Sequence, residues 1–102
     1  SDRTFTAQEL LAYNGSDPSK PIYLSLKGVI YDVTLGKDFY GPGGAYGIFA
    51  GHDCSRALAL MCLEEEQLDR DLDGVTSNQL ETLENWSSKF NSKYPVVGKL
   101  VS

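Results

Sequence analysis

The chain has 102 residues, of which 41% are hydrophobic and 23% charged, close to ordinary globular usage, which argues against disorder, collagen and coiled coil. One domain over residues 1–102 is expected, burying roughly 65% of its unfolded surface around a single core without a metal or disulfide staple. Nine Lys and Arg against fourteen Asp and Glu leave a net charge of −5, so nucleic acid and an anionic membrane surface are poor main partners.

The first helix is announced by a capping box, Thr6 with Glu9 three residues later; Phe5 and Leu10 form a hydrophobic staple, and Gly15 closes the end. Asn14 to Pro21 reads as loop. Ile22, Leu24 and Leu26 then alternate with Tyr23 and Ser25, and Val29, Tyr31 and Val33 alternate again across a Lys27-Gly28 turn. That pattern predicts a β-hairpin with one apolar face.

From Gly36 to Gly51 six glycines and a proline are mixed with aromatics and no periodicity, a length of connector that is more often functional than incidental. A helix is expected next, with Asp53 as N-cap and Ala57, Leu58, Met61 and Cys62 on one side. Cys54 and Cys62 fall within that stretch. As helical residues they would be roughly 12 Å apart, too far for a disulfide, and two free thiols suit a reducing compartment. Glu64, Glu65 and Glu66 read as a solvated face. The last helix opens at Thr76 with Gln79 as a second capping box and carries an apolar stripe of Leu80, Leu83, Trp86 and Phe90. Lys93 to Val97, interrupted by Pro95, reads as an extended segment returning to the sheet. The order of elements predicts an α+β fold.

Several candidate sites weaken on inspection. Asp69, Asp71, Asp73 and Gly74 match the opening of a calcium-binding loop, but its twelfth position is Leu80 where Glu is required. The glycine cluster lacks the Gly-Lys-Ser/Thr ending of a phosphate-binding loop. His52, the single histidine, is beside Cys54 and Ser55 in sequence, and near neighbours on a helix do not face one another, which disfavours nucleophilic catalysis. With two cysteines it makes at most three zinc ligands at the wrong spacing. The longest apolar run, Ala57 to Leu63, has seven residues, against about 20 for a membrane span, so no membrane segment is expected in this chain. What remains is a set of tyrosines near turning backbone, Tyr40, Tyr46 and Tyr94, with Lys93 beside the last.

Three blocks, IYLSLKGVIYDVT at residues 22–34, FYGPGGAYGIFAGHDCS at 39–55 and KYPVVGKL at 93–100, closely resemble the membrane-associated progesterone receptor family. The resemblance runs from Phe5 to Val101. It implies a cytochrome b5-like α+β fold, a small sheet with several helices forming a haem cleft. It also implies a ferric haem whose only protein axial ligand is a tyrosine, which falls on Tyr46, with Tyr40, Lys93 and Tyr94 lining the same pocket. The two-histidine ligation of cytochrome b5 itself is out of reach for a chain with one histidine. The tyrosine arrangement makes chemical sense, because a phenol of reference pKa about 10 needs a cation to become phenolate and a hard anionic oxygen favours ferric iron. Family members often carry proline where this chain has Ala45, which predicts a looser loop and weaker haem binding.

The resemblance further implies partnership with haem-thiolate monooxygenases in sterol or steroid metabolism, a haem-stacked homodimer, and a location on the cytosolic side of the endoplasmic reticulum or in the cytoplasm. A binding module, not an enzyme, is therefore expected. The alternatives are a steroid or small apolar ligand-binding protein that uses the same cleft without haem, and an electron carrier, which would need a six-coordinate iron.

Overall fold

A computed structural model describes residues 3–101; the expected domain bounds at 1 and 102 lie outside these. The chain opens with a two-residue strand, β1 (Thr4–Phe5), and a single α-helical turn, α1 (Ala7–Leu10). The Thr6 side chain accepts the Glu9 N–H at 3.1 Å and Glu9 accepts the Thr6 N–H at 2.8 Å, the predicted capping box. A 3-10 turn over Leu11–Tyr13 extends the helix, and Gly15 follows at φ +85°.

The hairpin is β2 (Tyr23–Leu26) and β3 (Val29–Asp32). Its turn residues Lys27 and Gly28 both have positive φ, 53° and 77°, as a two-residue turn matching the strand twist demands. A second helix, α2 (Lys37–Tyr40), is followed by α3 (Ser55–Leu60), α4 (Ser77–Lys93) and β4 (Val96–Leu100). The four strands lie in the order β1-β4-β3-β2, with β1 parallel to β4 and the other pairs antiparallel. The fold is α+β, as expected.

Several details differ from the sequence expectation. The hairpin has two buried faces, not one: Leu24, Leu26 and Tyr31 join the main core with α3 and α4, while Tyr23 and Ile30 join Phe5, Leu10 and Leu100 in a smaller cluster. The β1–α1 segment covers the second face, and β1 itself was not predicted, because two residues carry no readable periodicity. Residues 36–51 are not one aperiodic connector but hold α2 and a 3-10 turn over Gly47–Phe49. α3 ends at Leu60, with Met61 left-handed at φ 51° and 75% exposed, so Cys54 and Cys62 flank a helix and do not share one; both are free thiols. Finally, Lys93 is the last residue of α4, and the extended segment begins with Tyr94.

The hairpin and α3 are tied by a buried polar network. Asp53, expected as the N-cap of α3, lies one residue before that position, which Cys54 holds; the Asp53 carboxylate accepts the Ser55 N–H at 2.9 Å and the Ser25 hydroxyl at 2.8 Å, and Ser55 Oγ accepts the Lys27 N–H at 2.6 Å. Buried polar atoms are thereby satisfied where the edge strand β2 meets the segment leading into α3.

Candidate functional site

Glycines in the loop after α2 carry the chain back onto that helix. A Cβ on Gly41 would lie 2.5 Å from Lys37 O, one on Gly44 2.4 Å from Phe39 O, and one on Gly47 2.8 Å from Gly41 O. Such approaches exclude any side chain at these positions. The doubled-back loop is closed by the Tyr46 N–H, which donates to Phe39 O at 2.8 Å, and Tyr46 then leads into the 3-10 turn with its ring stacked on Phe49 at 5.7 Å. Room at Gly41, Gly44 and Gly47 is thus taken by the protein's own carbonyls.

Across from this loop stands the C-terminal half of α4. Helical spacing aligns Trp86, Lys89, Phe90 and Lys93 on one face, and between that face and the α2 loop lies a cleft of about 220 Å3 lined also by Phe39, Tyr40, Tyr46 and Tyr94. Tyr40 is its hub: its ring meets Tyr46 at 6.0 Å, Phe90 at 5.9 Å and Tyr94 at 6.2 Å. Gly36 makes space for Tyr94, since a Cβ there would be 2.6 Å from the Tyr94 hydroxyl. A second compartment of about 180 Å3 shares Tyr46 and Trp86 with the first and is otherwise apolar, walled by Phe49, Ala57, Leu58, Met61 and Leu63 with Cys62. Tyr46 therefore borders a polar chamber and an apolar one.

Charge in the polar chamber comes from α4. Lys89 Nζ lies 5.2 Å over the Trp86 ring and Lys93 Nζ 5.9 Å over the Tyr94 ring. Among the described residues neither lysine has an ion-pair partner; the only salt bridge is Lys27 with Glu84. Burial, and then the neighbouring Tyr94, Cys54 and Tyr46, push the Tyr40 phenol far above its ordinary value, and burial also raises Tyr94. Both phenols thus stay protonated at neutral pH and act as hydroxyl groups. Tyr46 is half-buried.

The structure brings Tyr40, Tyr46, Lys93 and Tyr94, all singled out from the sequence, into this one cleft. Phe39, Trp86, Lys89 and Phe90 were not assigned to it. The i, i+3, i+4, i+7 spacing of Trp86, Lys89, Phe90 and Lys93 carried the signal, but Trp86 and Phe90 were read as part of an apolar stripe and Lys89 was not singled out. His52 stands apart on another cavity. Cys54 is fully buried with its thiol pushed well up by burial and by Asp53, and its Sγ donates to Phe49 O at 3.3 Å, so it is no nucleophile. The carboxylates of Asp69 and Asp71 accept nearby backbone N–H groups, while Arg56 binds the carbonyls of Asp71 and Asp73. Among the described residues no three His, Cys, Asp or Glu side chains are placed to hold a metal ion.

A small mixed sheet backed by helices, with an aromatic and cationic cleft between helical segments, defines a cytochrome b5-like ligand-binding domain. Over residues 6–101 the chain matches the family described as "Cytochrome b5-like Heme/Steroid binding domain". It is 54% identical to "Probable steroid-binding protein 3" of Arabidopsis thaliana, over 96% of this chain and 98% of that protein. It is 42% identical to human "Membrane-associated progesterone receptor component 2", over 97% of this chain and 45% of that one. A solved structure from Arabidopsis thaliana, described as having a cytochrome b5 like fold, superimposes with a TM-score of 0.89 at 53% identity, covering 98% of this chain and 92% of that one. The chain belongs to the cytochrome b5-like haem/steroid-binding domain family, in its membrane-associated progesterone receptor branch. It spans less than half of the human relative's length, and among the described residues no helix is long and apolar enough to cross a membrane.

Proposed function

We propose that this chain is a haem-binding module, not a catalyst, in which Tyr46 supplies the axial oxygen for ferric iron. The observation that carries this reading is the two-chambered cleft. It sets two ammonium groups without an ion-pair partner among the described residues, in a chain of net charge −5, at one end of an aromatic slot whose other end is apolar, with a phenol between them. A flat amphiphile with two carboxylates and a Lewis-acidic centre satisfies all three features. A neutral steroid in the same cleft would form an ion pair with neither lysine.

The residues divide the work. Lys89 and Lys93 would hold the ligand's carboxylates, Trp86, Phe49 and Leu58 its apolar body, and Tyr40 and Tyr94, kept protonated, offer hydroxyl groups without competing as anionic ligands. When bound, haem supplies a ferric centre that stabilises the phenolate form of its ligand. A hard anionic oxygen stabilises the ferric state more than the ferrous, so retention should weaken on reduction. That suits holding or sensing haem better than shuttling electrons. Support of haem-thiolate monooxygenases in sterol or steroid metabolism, stacking of two haem-bearing copies, and a place on the cytosolic side of the endoplasmic reticulum follow the family resemblance and belong to this proposal. Ala45, in place of the family's frequent proline, favours modest affinity.

The test is a hemin titration followed in the Soret region. Wild type should saturate with a high-spin ferric spectrum and lose the ligand more readily after dithionite. Tyr46→Phe should change the spectrum and weaken binding about tenfold or more, at least the effect of disturbing a ligand's supporting contacts. An unchanged spectrum and affinity in Tyr46→Phe would remove Tyr46 from the iron.

A further inference from the structure

Tyr46 and Trp86 are the two residues that line both chambers of the cleft, so their rings form the partition between them. Each chamber alone is smaller than the roughly 300–1,000 Å3 of a small-molecule site; joined, they reach that range. A ligand that fills one chamber needs no rearrangement, whereas a macrocycle enters only where one of the two rings gives way.

The two rings are not held alike. The Tyr46 main chain is fixed on both sides, its N–H donating to Phe39 O at 2.8 Å and its carbonyl accepting the Phe49 N–H at 3.0 Å, and its ring is stacked on the buried Phe49. Trp86 is half-buried, and its indole N–H makes no hydrogen bond among the described residues. Its ring meets Phe90 edge-on at 6.2 Å and carries the Lys89 ammonium 5.2 Å above it. A tryptophan in a helix has two low-energy χ1 wells, near 180° and −60°, so Trp86 is the ring that can give way.

The helix also supplies a place for it. Helical spacing puts Leu83 and Phe90, both buried, to one side of Trp86 and Thr82, Asn85 and Lys89 to the other. Those three, with Trp86 itself, line an open groove of about 200 Å3. The Thr82 hydroxyl is spent on Asn78 O at 3.1 Å, so a ring entering the groove displaces no hydrogen bond of Thr82. Lys89 lines both the groove and the polar chamber, so the displaced indole still flanks the ligand. The ammonium that lay over the indole is then released to a carboxylate, which binds it more strongly than an aromatic face does. We infer that Trp86 is a movable partition that sets the size of ligand the cleft takes: with the indole against Phe90 the cleft is two small chambers, and with the indole in the Thr82–Asn85–Lys89 groove it is one slot. This inference rests on the reading of the cleft as a macrocycle site and names the residue that opens it.

A double-mutant cycle tests it, read by titration with hemin and, separately, with metal-free protoporphyrin, which takes no axial ligand. Thr82→Phe fills the groove and should weaken both porphyrins about tenfold, a coupling expected of side chains that compete for one space. In a Trp86→Ala background no ring needs the groove, and the same Thr82→Phe should change either affinity by less than about twofold. A substitution that acted only through the fold would cost the same in both backgrounds. Urea midpoints show which variants are folded, and Asn85→Trp, at an exposed position on the same groove, carries the test if Thr82→Phe does not fold. Equal losses in the two backgrounds, or no loss in either, would overturn the partition and leave the haem reading standing. If Tyr46→Phe leaves hemin binding unchanged, the haem reading loses its ligand while the protoporphyrin titrations still decide the partition. Failure of the wild type to bind either porphyrin would remove both.

Discussion

Neighbouring glycines in the α2 loop serve different ends. Gly43 has φ +81° with nothing within 4 Å of where a Cβ would be, whereas Gly44 would place its Cβ 2.4 Å from Phe39 O and 2.6 Å from Phe39 C. Gly43→Ala meets only the left-handed backbone penalty, about 1–2 kcal/mol. Gly44→Ala must push the loop off α2 and break the Tyr46 N–H bond to Phe39 O, so it should cost about 3 kcal/mol and carry Tyr46 away from Trp86. Urea denaturation should rank Gly44→Ala as the more destabilising, with hemin affinity falling in Gly44→Ala and little changed in Gly43→Ala. Equal effects on hemin would mean that the loop's tight path does not position the phenol. Sequence reading found these glycines only as part of one aperiodic stretch. Only the backbone path reveals that the space is already filled by carbonyl oxygens.

At the level of elements, α4 is both a core helix and one wall of the cleft, with Leu83 and Phe90 buried and Trp86, Lys89 and Lys93 toward the ligand side. Its N-terminus is fixed by the reciprocal Thr76–Gln79 bonds at 3.2 and 2.9 Å, while the cleft residues come ten or more positions later. Thr76→Ala should therefore lower stability by about 1 kcal/mol and leave hemin affinity within about twofold, measured on the same preparation; a parallel loss of hemin binding would couple the cap to the cleft. Capping boxes, the hairpin turn and the long helix were legible because each rests on contacts three or four residues apart in sequence. The partition of the hairpin into two buried faces was not. It depends on β1 and α1 folding across Tyr23 and Ile30 from the far end of the sequence. Likewise the chain's left-handed turn at Met61 breaks an apolar run that sequence spacing alone extends as helix. The four residues expected at the cleft come together because Tyr40 and Tyr46 stand at the two ends of one short loop and Lys93 and Tyr94 at one helix end. Lys89 escaped notice because a lysine on an amphipathic helix reads as solvated until the opposite wall is known.

For the whole molecule, titratable groups bound the stable pH range from both sides. His52 has its pKa lowered by burial, so the unfolded chain binds the proton more readily than the folded one, and stability present above pH 6.5 declines as pH falls below it. Tyr40 and Tyr94 have theirs raised, first by burial. The unfolded phenols ionise first, and stability present below pH 10 is lost as pH rises past it. A chain already at −5 near neutrality also gains self-repulsion on the alkaline side. The urea midpoint should accordingly be broad and highest between about pH 7 and 9, falling on both flanks. His52→Gln should flatten the slope between about pH 6.5 and 5.5 without altering the alkaline limb, and Tyr40→Phe should shallow the fall above about pH 10 without altering the acid one.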